Sequence, residues 1–294
     1  MAAAGCDAAL AYEPLYVVSI LPGVTSGLPF AANPPPGLYF VDFNNGGEGR
    51  FSGRGSAAGL DGVSYKTSTH SLVLFWSSPF EVLGGRFTTF AVGSWSGVYL
   101  YDNGNRIADV RGWHNPGVAP SISWELGQGW FVRAGAFVWA PAGTMDKGPV
   151  GNGLGNIGAP YWTIEPNVAV SYLADGWNLT ANLFYGISTR NPYSGVTNGH
   201  SLNLDWTATK KFNGVELGPV GYVSTQVTGD RGCESFYGPN VCAPGAKAGV
   251  GGLVGYDFGV VHARLAVTGS VYNHNAFDGW RVWTSLTFGL PHKP

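Results

Sequence analysis

From about residue 177 to 190, apolar and polar residues alternate along the chain. Trp177, Leu179, Ala181, Leu183, Tyr185 and Ile187 fall on one face of an extended strand, and Asn178, Thr180, Asn182, Phe184 and Ser188 on the other. Residues 200–212 repeat the pattern, with Leu202, Leu204, Trp206 and Ala208 against Ser201, Asn203, Asp205, Thr207 and Thr209. In 260–273, Val261, Ala263, Leu265, Val267 and Val271 oppose His262, Arg264, Thr268, Ser270 and Tyr272. A period of two marks strands lying between two unlike environments, because successive side chains leave opposite faces. The same reading predicts twelve strands: 37–50, 63–77, 81–101, 108–125, 129–142, 161–173, 177–190, 200–212, 215–229, 246–257, 260–273 and 279–289.

The connections separate the architectures that alternation alone leaves open. Short turns are expected at Ser78-Pro79-Phe80, around Gly127, at Ala174-Asp175-Gly176, at Asn213-Gly214 and near Gly259. Mostly longer links fall between them, notably at 143–160, 191–199 and 230–245. An even strand count with short and long connections in alternation is the rhythm of a transmembrane antiparallel β-barrel, whose apolar face meets lipid and whose polar face lines the lumen. Trp76, Trp130, Trp162, Tyr172, Trp177, Trp206 and Tyr256 lie near strand ends, where amphipathic rings suit the headgroup zone. The last strand, ending on Phe288, resembles the C-terminal assembly signal of outer-membrane proteins, with a short tail at 290–294.

Composition agrees with an all-β chain. Its 294 residues include 46 Gly, 11 Trp, 14 Tyr and 16 Phe, and only 12% are charged. Aromatics favour pleated surfaces and Gly favours turns. A net charge of −2 without a basic block gives nucleic acid no electrostatic footprint. No stretch approaches 18 uninterrupted apolar residues, so helical spans are not expected, whereas barrel strands need only about 9–11. Residues 1–6 carry no basic-then-apolar signal pattern, as expected of a mature chain whose signal peptide has been removed. Cys233 and Cys242 bracket a Gly/Pro-rich segment and are expected to pair in an oxidising compartment, leaving Cys6 over.

The division is thus 1–36, an N-terminal segment; 37–289, the barrel; and 290–294, the tail. Residues 1–36 are too apolar for a free linker, with Leu21, Pro22, Gly23, Phe30 and Pro34, Pro35 and Pro36 among them. They are expected to fold into the lumen as a plug. On strand parity the lumen is lined by Arg133, Phe137, Trp139, Glu165, Asn182, Phe184, Asp205, Glu216, Tyr222, Arg264, Tyr272, Arg281 and Trp283. Arg133, Arg264 and Arg281 have Glu165, Asp205 and Glu216 as candidate partners across it. Pro166 and Pro219 sit inside predicted strands, where Pro removes a ladder bond and favours a bulge that opens or only curves the wall.

No catalytic constellation emerges. His262 and Ser270 share a face but stand about 26 Å apart along a strand, and His70 and Ser71 point to opposite faces. No Gly-x-Ser-x-Gly elbow is present. The six His never fall at metal-ligand spacing, so neither metal nor cofactor is expected. The residues leave open a channel, a non-transporting adhesin or structural barrel, and a barrel lipid hydrolase.

Several segments carry a resemblance. They are Leu21-Pro22-Gly23, Pro34 to Phe40, Asn156-Ile157-Gly158 with Tyr161-Trp162-Thr163-Ile164-Glu165-Pro166, Asp175-Gly176-Trp177, Asn191-Pro192, Lys210-Lys211-Phe212 and Gln226 to Asp230. Over nearly its whole length the chain resembles the outer-membrane transporter family named for the meta-pathway of phenol degradation. The resemblance implies a bacterial outer-membrane barrel for passive uptake of small hydrophobic or aromatic compounds, functionally similar to the long-chain fatty-acid channels with their N-terminal hatch. Its partners would be outer-membrane lipid and lipopolysaccharide, the solute, and the barrel assembly machinery. The tail and the Cys pair depart from the family's pattern.

Overall fold

The computed structural model describes residues 19–32, 34–52, 63–145, 156–237 and 244–291. The strands are β1 (Gly37–Ser52), β2 (Val63–Val82), β3 (Gly85–Asp102), β4 (Asn105–Trp113), β5 (Gly117–Gly127), β6 (Trp130–Trp139), β7 (Thr163–Tyr172), β8 (Trp177–Ser188), β9 (Ser201–Phe212), β10 (Val215–Gln226), β11 (Ala246–Asp257), β12 (Val261–His274) and β13 (Ala276–Pro291). A single helical turn, α1 (Cys233–Tyr237), lies in the link after β10. Every neighbouring pair is antiparallel, and β1 bonds to both β2 and β13, which closes the barrel. Closure satisfies every strand edge, as a bilayer demands.

β4 and β5 are two pieces of one stave, so the barrel has twelve. β3 pairs with β4 from Trp95↔Trp113 upward and with β5 from Val92↔Gly117 downward. The break falls at His114-Asn115-Pro116. Pro116 has no N–H to give the ladder, and the Asn115 side chain is turned to the link after β6. Its Oδ1 accepts from Gly143 N (3.1 Å) and Ala159 N (3.2 Å), and its Nδ2 donates to Ala159 O (2.9 Å).

Burial inverts the order of a soluble sheet. β7 reads buried and exposed in strict alternation, and its buried set is Thr163, Glu165, Asn167, Ala169 and Ser171. On β8 and β9 the buried residues include Asn178, Thr180, Asn182, Asn203, Asp205, Thr207 and Thr209. Exposed side chains include Val168, Val170, Leu179, Leu183, Leu217, Val223, Leu265 and Val267. A face this apolar is stable against lipid, where a charged residue at mid-depth costs about 2–4 kcal/mol. Aromatics ring both ends. Trp95 and Trp113 meet edge to face at 5.2 Å near one end. At the other, Trp130 tilts onto Tyr172 at 5.0 Å, and Lys210 Nζ lies 4.7 Å from the Trp177 ring centroid.

Two-residue turns with left-handed backbone at both positions close one end: Leu83-Gly84, Gln128-Gly129, Asp175-Gly176 and Asn213-Gly214. These are the primed turns whose twist matches the flanking strands. The links after β6, β8 and β10 stand at the opposite end. Three details correct the sequence expectation. Ser78-Pro79-Phe80 is no turn: β2 runs on to Val82, and the segment is where its register with β3 shifts, between Ser77 and Glu81. The link between β3 and β4 is a tight Asn103-Gly104 turn, and β12 passes to β13 through Asn275 alone, so not every outer link is long. β13 continues two residues beyond 289, because Leu290 and Pro291 extend the ladder opposite Leu38 and Gly37.

Candidate functional site

The lumen holds the chemistry. Residues 19–32 form a run of tight turns, with Val24 N donating to Leu21 O (3.1 Å), Ser26 N to Gly23 O (3.0 Å) and Leu28 N to Thr25 O (3.0 Å). Several further polar groups of the segment bond to inward side chains. Asp205 accepts from Gly23 N (2.7 Å), Thr25 N (2.9 Å) and Thr25 Oγ1 (2.7 Å). Gly27 N donates to Thr207 Oγ1 (2.7 Å), and Gly27 O accepts from Asn178 Nδ2 (3.2 Å). Ala31 bonds through N to Ser171 Oγ (3.2 Å) and through O to Ser123 Oγ (2.8 Å). Gly23 has φ 95°, and a Cβ there would meet the Tyr222 ring at 2.9 Å, so both backbone conformation and space require glycine. Of the three prolines, Pro34 accepts through O from Ser77 Oγ and Arg86 Nη1 (both 2.9 Å), and Pro35 O accepts from Tyr39 Oη (2.8 Å). They form the joint between this segment and β1.

Against the segment lies an aromatic chamber. Phe30 stacks on Phe90 (5.5 Å) and Phe137 (6.4 Å) and meets Phe184 edge-on (6.3 Å). Phe137 stacks on Trp139 at 5.6 Å, and Phe75 on Phe90 at 4.5 Å. A cavity of about 130 Å³ opens here. Its apolar lining comes from Ile20, Leu21, Val24, Leu28, Phe30, Val41, Phe43, Val73, Phe90, Val92, Phe137 and Trp139. Asn45, Thr69, Ser71, Ser94 and His114 give it a polar side.

Of the residues expected to line the lumen, Arg133, Phe137, Trp139, Glu165, Asn182, Phe184, Asp205, Glu216, Tyr222 and Trp283 are buried. Phe43 lies 5.8 Å from Trp283, which packs with Val220 and Leu253. Tyr272 departs from expectation and is 57% exposed. Ala248 pairs with Tyr272 but Gly249 with Ser270, so Val271 is an extra residue that reverses the parity beyond it.

Among the described residues, one of the expected ion pairs is that of Arg264 with Glu216. Arg264 Nε lies 3.0 Å from Glu216 Oε2, with His262 Nε2 at 3.3 Å from the same oxygen and Thr209 Oγ1 donating to Oε1 (2.5 Å). Arg281 Nη1 donates to Asn45 Oδ1 (2.8 Å) and its guanidinium lies over Trp283. Arg133 meets no carboxylate among the described residues. Its guanidinium lies 5.0–5.3 Å from the centroids of Phe30, Phe75 and Phe90 and donates to Thr88 Oγ1 (3.1 Å). Glu165 Oε2 accepts from Trp139 Nε1 (2.6 Å). Pro166 and Pro219 interrupt their ladders without a bulge. Ile164↔Ile187 and Asn167↔Phe184 keep one register across the gap, as do Leu217↔Lys210 and Val220↔Thr207. Pro120 opens a third such gap, between Val118↔Val138 and Ser121↔Gly135.

Sequence reasoning missed the contact of Ser96 Oγ with His114 Nε2 (2.5 Å), because the stave breaks at His114. Ser96 Oγ is also 2.6 Å from Thr69 Oγ1. His262 stands on Glu216, and His70 Nδ1 is 2.5 Å from Asn44 Oδ1. In the outer links Asp230 accepts from Gly199 N (2.6 Å) and Gln226 Nε2 (2.8 Å), and burial pushes its carboxyl above the ordinary value despite these bonds. Cys233 is buried at the start of α1, and its expected partner Cys242 lies outside the described residues.

Similar proteins bear on this geometry. A solved outer membrane channel from Pseudomonas putida F1 superposes with a TM-score of 0.73 at 12% identity, covering 92% of this chain and 100% of that one. The β-domain of the Bordetella autotransporter BrkA gives 0.50 at 9% identity, covering 87% and 100%. At these identities the likeness concerns the fold. Among curated proteins none matches the chain in sequence. The closed barrel with an apolar outer face belongs in the bacterial outer membrane. The family model described as "Putative MetA-pathway of phenol degradation" matches residues 46–286, and the chain belongs to that family.

Proposed function

We propose that this barrel is a channel for passive uptake of small hydrophobic, aromatic compounds, with residues 19–32 acting as the plug that holds it shut. The observation that carries the reading is the apolar cavity of about 130 Å³ between that segment and Phe90, Phe137 and Trp139. A greasy chamber within the lumen suits a solute that crosses by exchanging one apolar surface for another. Phe184, Tyr222 and Trp283 extend the aromatic path, and Arg133, Glu165, Asp205, Arg264 and Arg281 border it. Displacement of the plug opens the path downward, and the interrupted ladders at Pro166 and Pro219 are the weak points for exit sideways into lipid. The outer band would meet lipid and lipopolysaccharide, with insertion by the barrel assembly machinery, and a Cys233–Cys242 disulfide would brace an outer link.

The name of the similar P. putida protein, an outer membrane channel, supports the transport half of this reading. Uptake of radiolabelled toluene at limiting concentration, in cells with and without the protein, tests it. Faster uptake in cells that carry the protein is expected. Equal uptake would reject the channel and favour an adhesin or structural barrel.

A further inference from the structure

The wall of the aromatic chamber changes character along the barrel axis. Register sets its residues in rows, two residues or about 7 Å apart along each strand. Val41, Val73 and Val92 make one row across β1, β2 and β3. The next is Phe43, Ser71 and Ser94, and the third is Asn45, Thr69 and Ser96. His114, at the break in the stave of β4 and β5, donates through its backbone N to Ser94 O (2.9 Å) and so stands beside the second row. Ser71, Ser94, Asn45, Thr69 and His114 all line the cavity of about 130 Å³, as do the three Val.

The polar rows are linked but keep unspent capacity. Thr69 Oγ1, Ser96 Oγ and His114 Nε2 form one chain, with steps of 2.6 and 2.5 Å. Apart from it, Ser94 Oγ donates to Ser71 Oγ (2.7 Å). Among the described residues this leaves the Ser71 proton without an acceptor and Ser94 Oγ without a donor. Each hydroxyl has one proton to give and two lone pairs to receive. A hydrocarbon seated against the pair would bury that capacity unanswered, at about 1–3 kcal/mol for each group. The Val row and the neighbouring Phe90 carry no such demand.

We infer that the Ser71–Ser94 pair is a subsite for a hydroxyl group, and that the chamber selects aromatic alcohols. The two oxygens are 2.7 Å apart, so one solute oxygen reaches both. It accepts from Ser71 Oγ and donates to Ser94 Oγ, which closes a ring of three hydrogen bonds. A carbonyl or ether oxygen accepts without donating and leaves Ser94 unanswered; a hydroxyl satisfies both. The apolar body of the solute lies one row away, against Val41, Val73, Val92 and Phe90. The inference rests on the channel reading for the solute's route and narrows its cargo by one functional group.

Benzyl alcohol and toluene differ by one oxygen and make the test. Binding of each to the purified protein is read by equilibrium dialysis, with micelles of the same detergent on both sides so that only the excess held by protein counts. The wild type is expected to bind benzyl alcohol. S71A should lower the ratio of benzyl alcohol affinity to toluene affinity by about tenfold, the scale of one hydrogen bond. S94A should lower it by a similar factor, and it decides if S71A does not reach the heat-modifiable folded form. No excess of benzyl alcohol on the wild type would overturn the inference, as would a ratio that the substitutions leave unchanged. Dialysis reads binding without transport. A ratio that depends on Ser71, with equal toluene uptake by cells with and without the protein, would reject the channel and keep this subsite. Toluene uptake that depends on the protein, with a ratio indifferent to S71A, would do the opposite.

Discussion

Around Glu216 and around Arg133 the lumen wall buries charge in opposite ways. Glu216 is met by Arg264, His262, Thr209 and Asn178, so each of its oxygens is held by groups of the wall itself. Arg133 has one hydroxyl and a sheath of three Phe rings, and its Nε has no hydrogen-bond partner among the described residues. The first region is a closed polar network that braces β8–β12. The second offers aromatic surface and unspent hydrogen-bonding capacity next to a cavity. On the proposed channel reading, bracing and binding are separated within one lumen, with the solute on the Arg133 side.

The comparison breaks most sharply at Glu216. E216A leaves the Arg264 cation buried without its carboxylate, and a loss of about 3–5 kcal/mol is expected in urea unfolding from micelles. A change near zero would mean that the network braces nothing. Next comes D205A, which removes three hydrogen bonds from residues 23–25. Bonds to a charged group contribute about 1.5–3 kcal/mol each, so the open fraction in single-channel records should rise by roughly tenfold or more. An unchanged record would detach Asp205 from gating. The smallest effect is expected at Arg133. R133M replaces an unpaired cation with an apolar side chain of similar reach, and unfolding should shift by less than about 1 kcal/mol. A loss as large as that of E216A would erase the distinction between the regions.

The staves were legible because parity is a local property. The alternation at 177–190 and 200–212 leads directly to β8 and β9, with Asn182, Phe184 and Asp205 inward. What failed depended on neighbours. Leu83 takes the left-handed position of a turn, where Gly or Asn is the usual signal, so Pro79 drew the turn three residues early. Tyr272 left the lumen because one extra residue, Val271, reverses parity, and nothing in the spacing marks that bulge. Parity also names a face but not a height. Arg133 and Glu165 share the lumen, yet the β6–β7 register sets them four residues apart, about 13 Å. Most hydrogen bonds between residues 23–31 and the wall are made by backbone groups of that segment, on which side-chain pattern is silent.

The aromatic chamber is the centre of the account, and F137D tests it most directly. The substitution puts a carboxylate between Phe30 and Trp139 in the wall of the cavity. Toluene uptake by cells with equal amounts of heat-modifiable protein in the outer membrane should fall at least about tenfold, since burying an unpaired charge beside an apolar solute costs more than 1.4 kcal/mol. Uptake equal to that of the wild type would contradict the account.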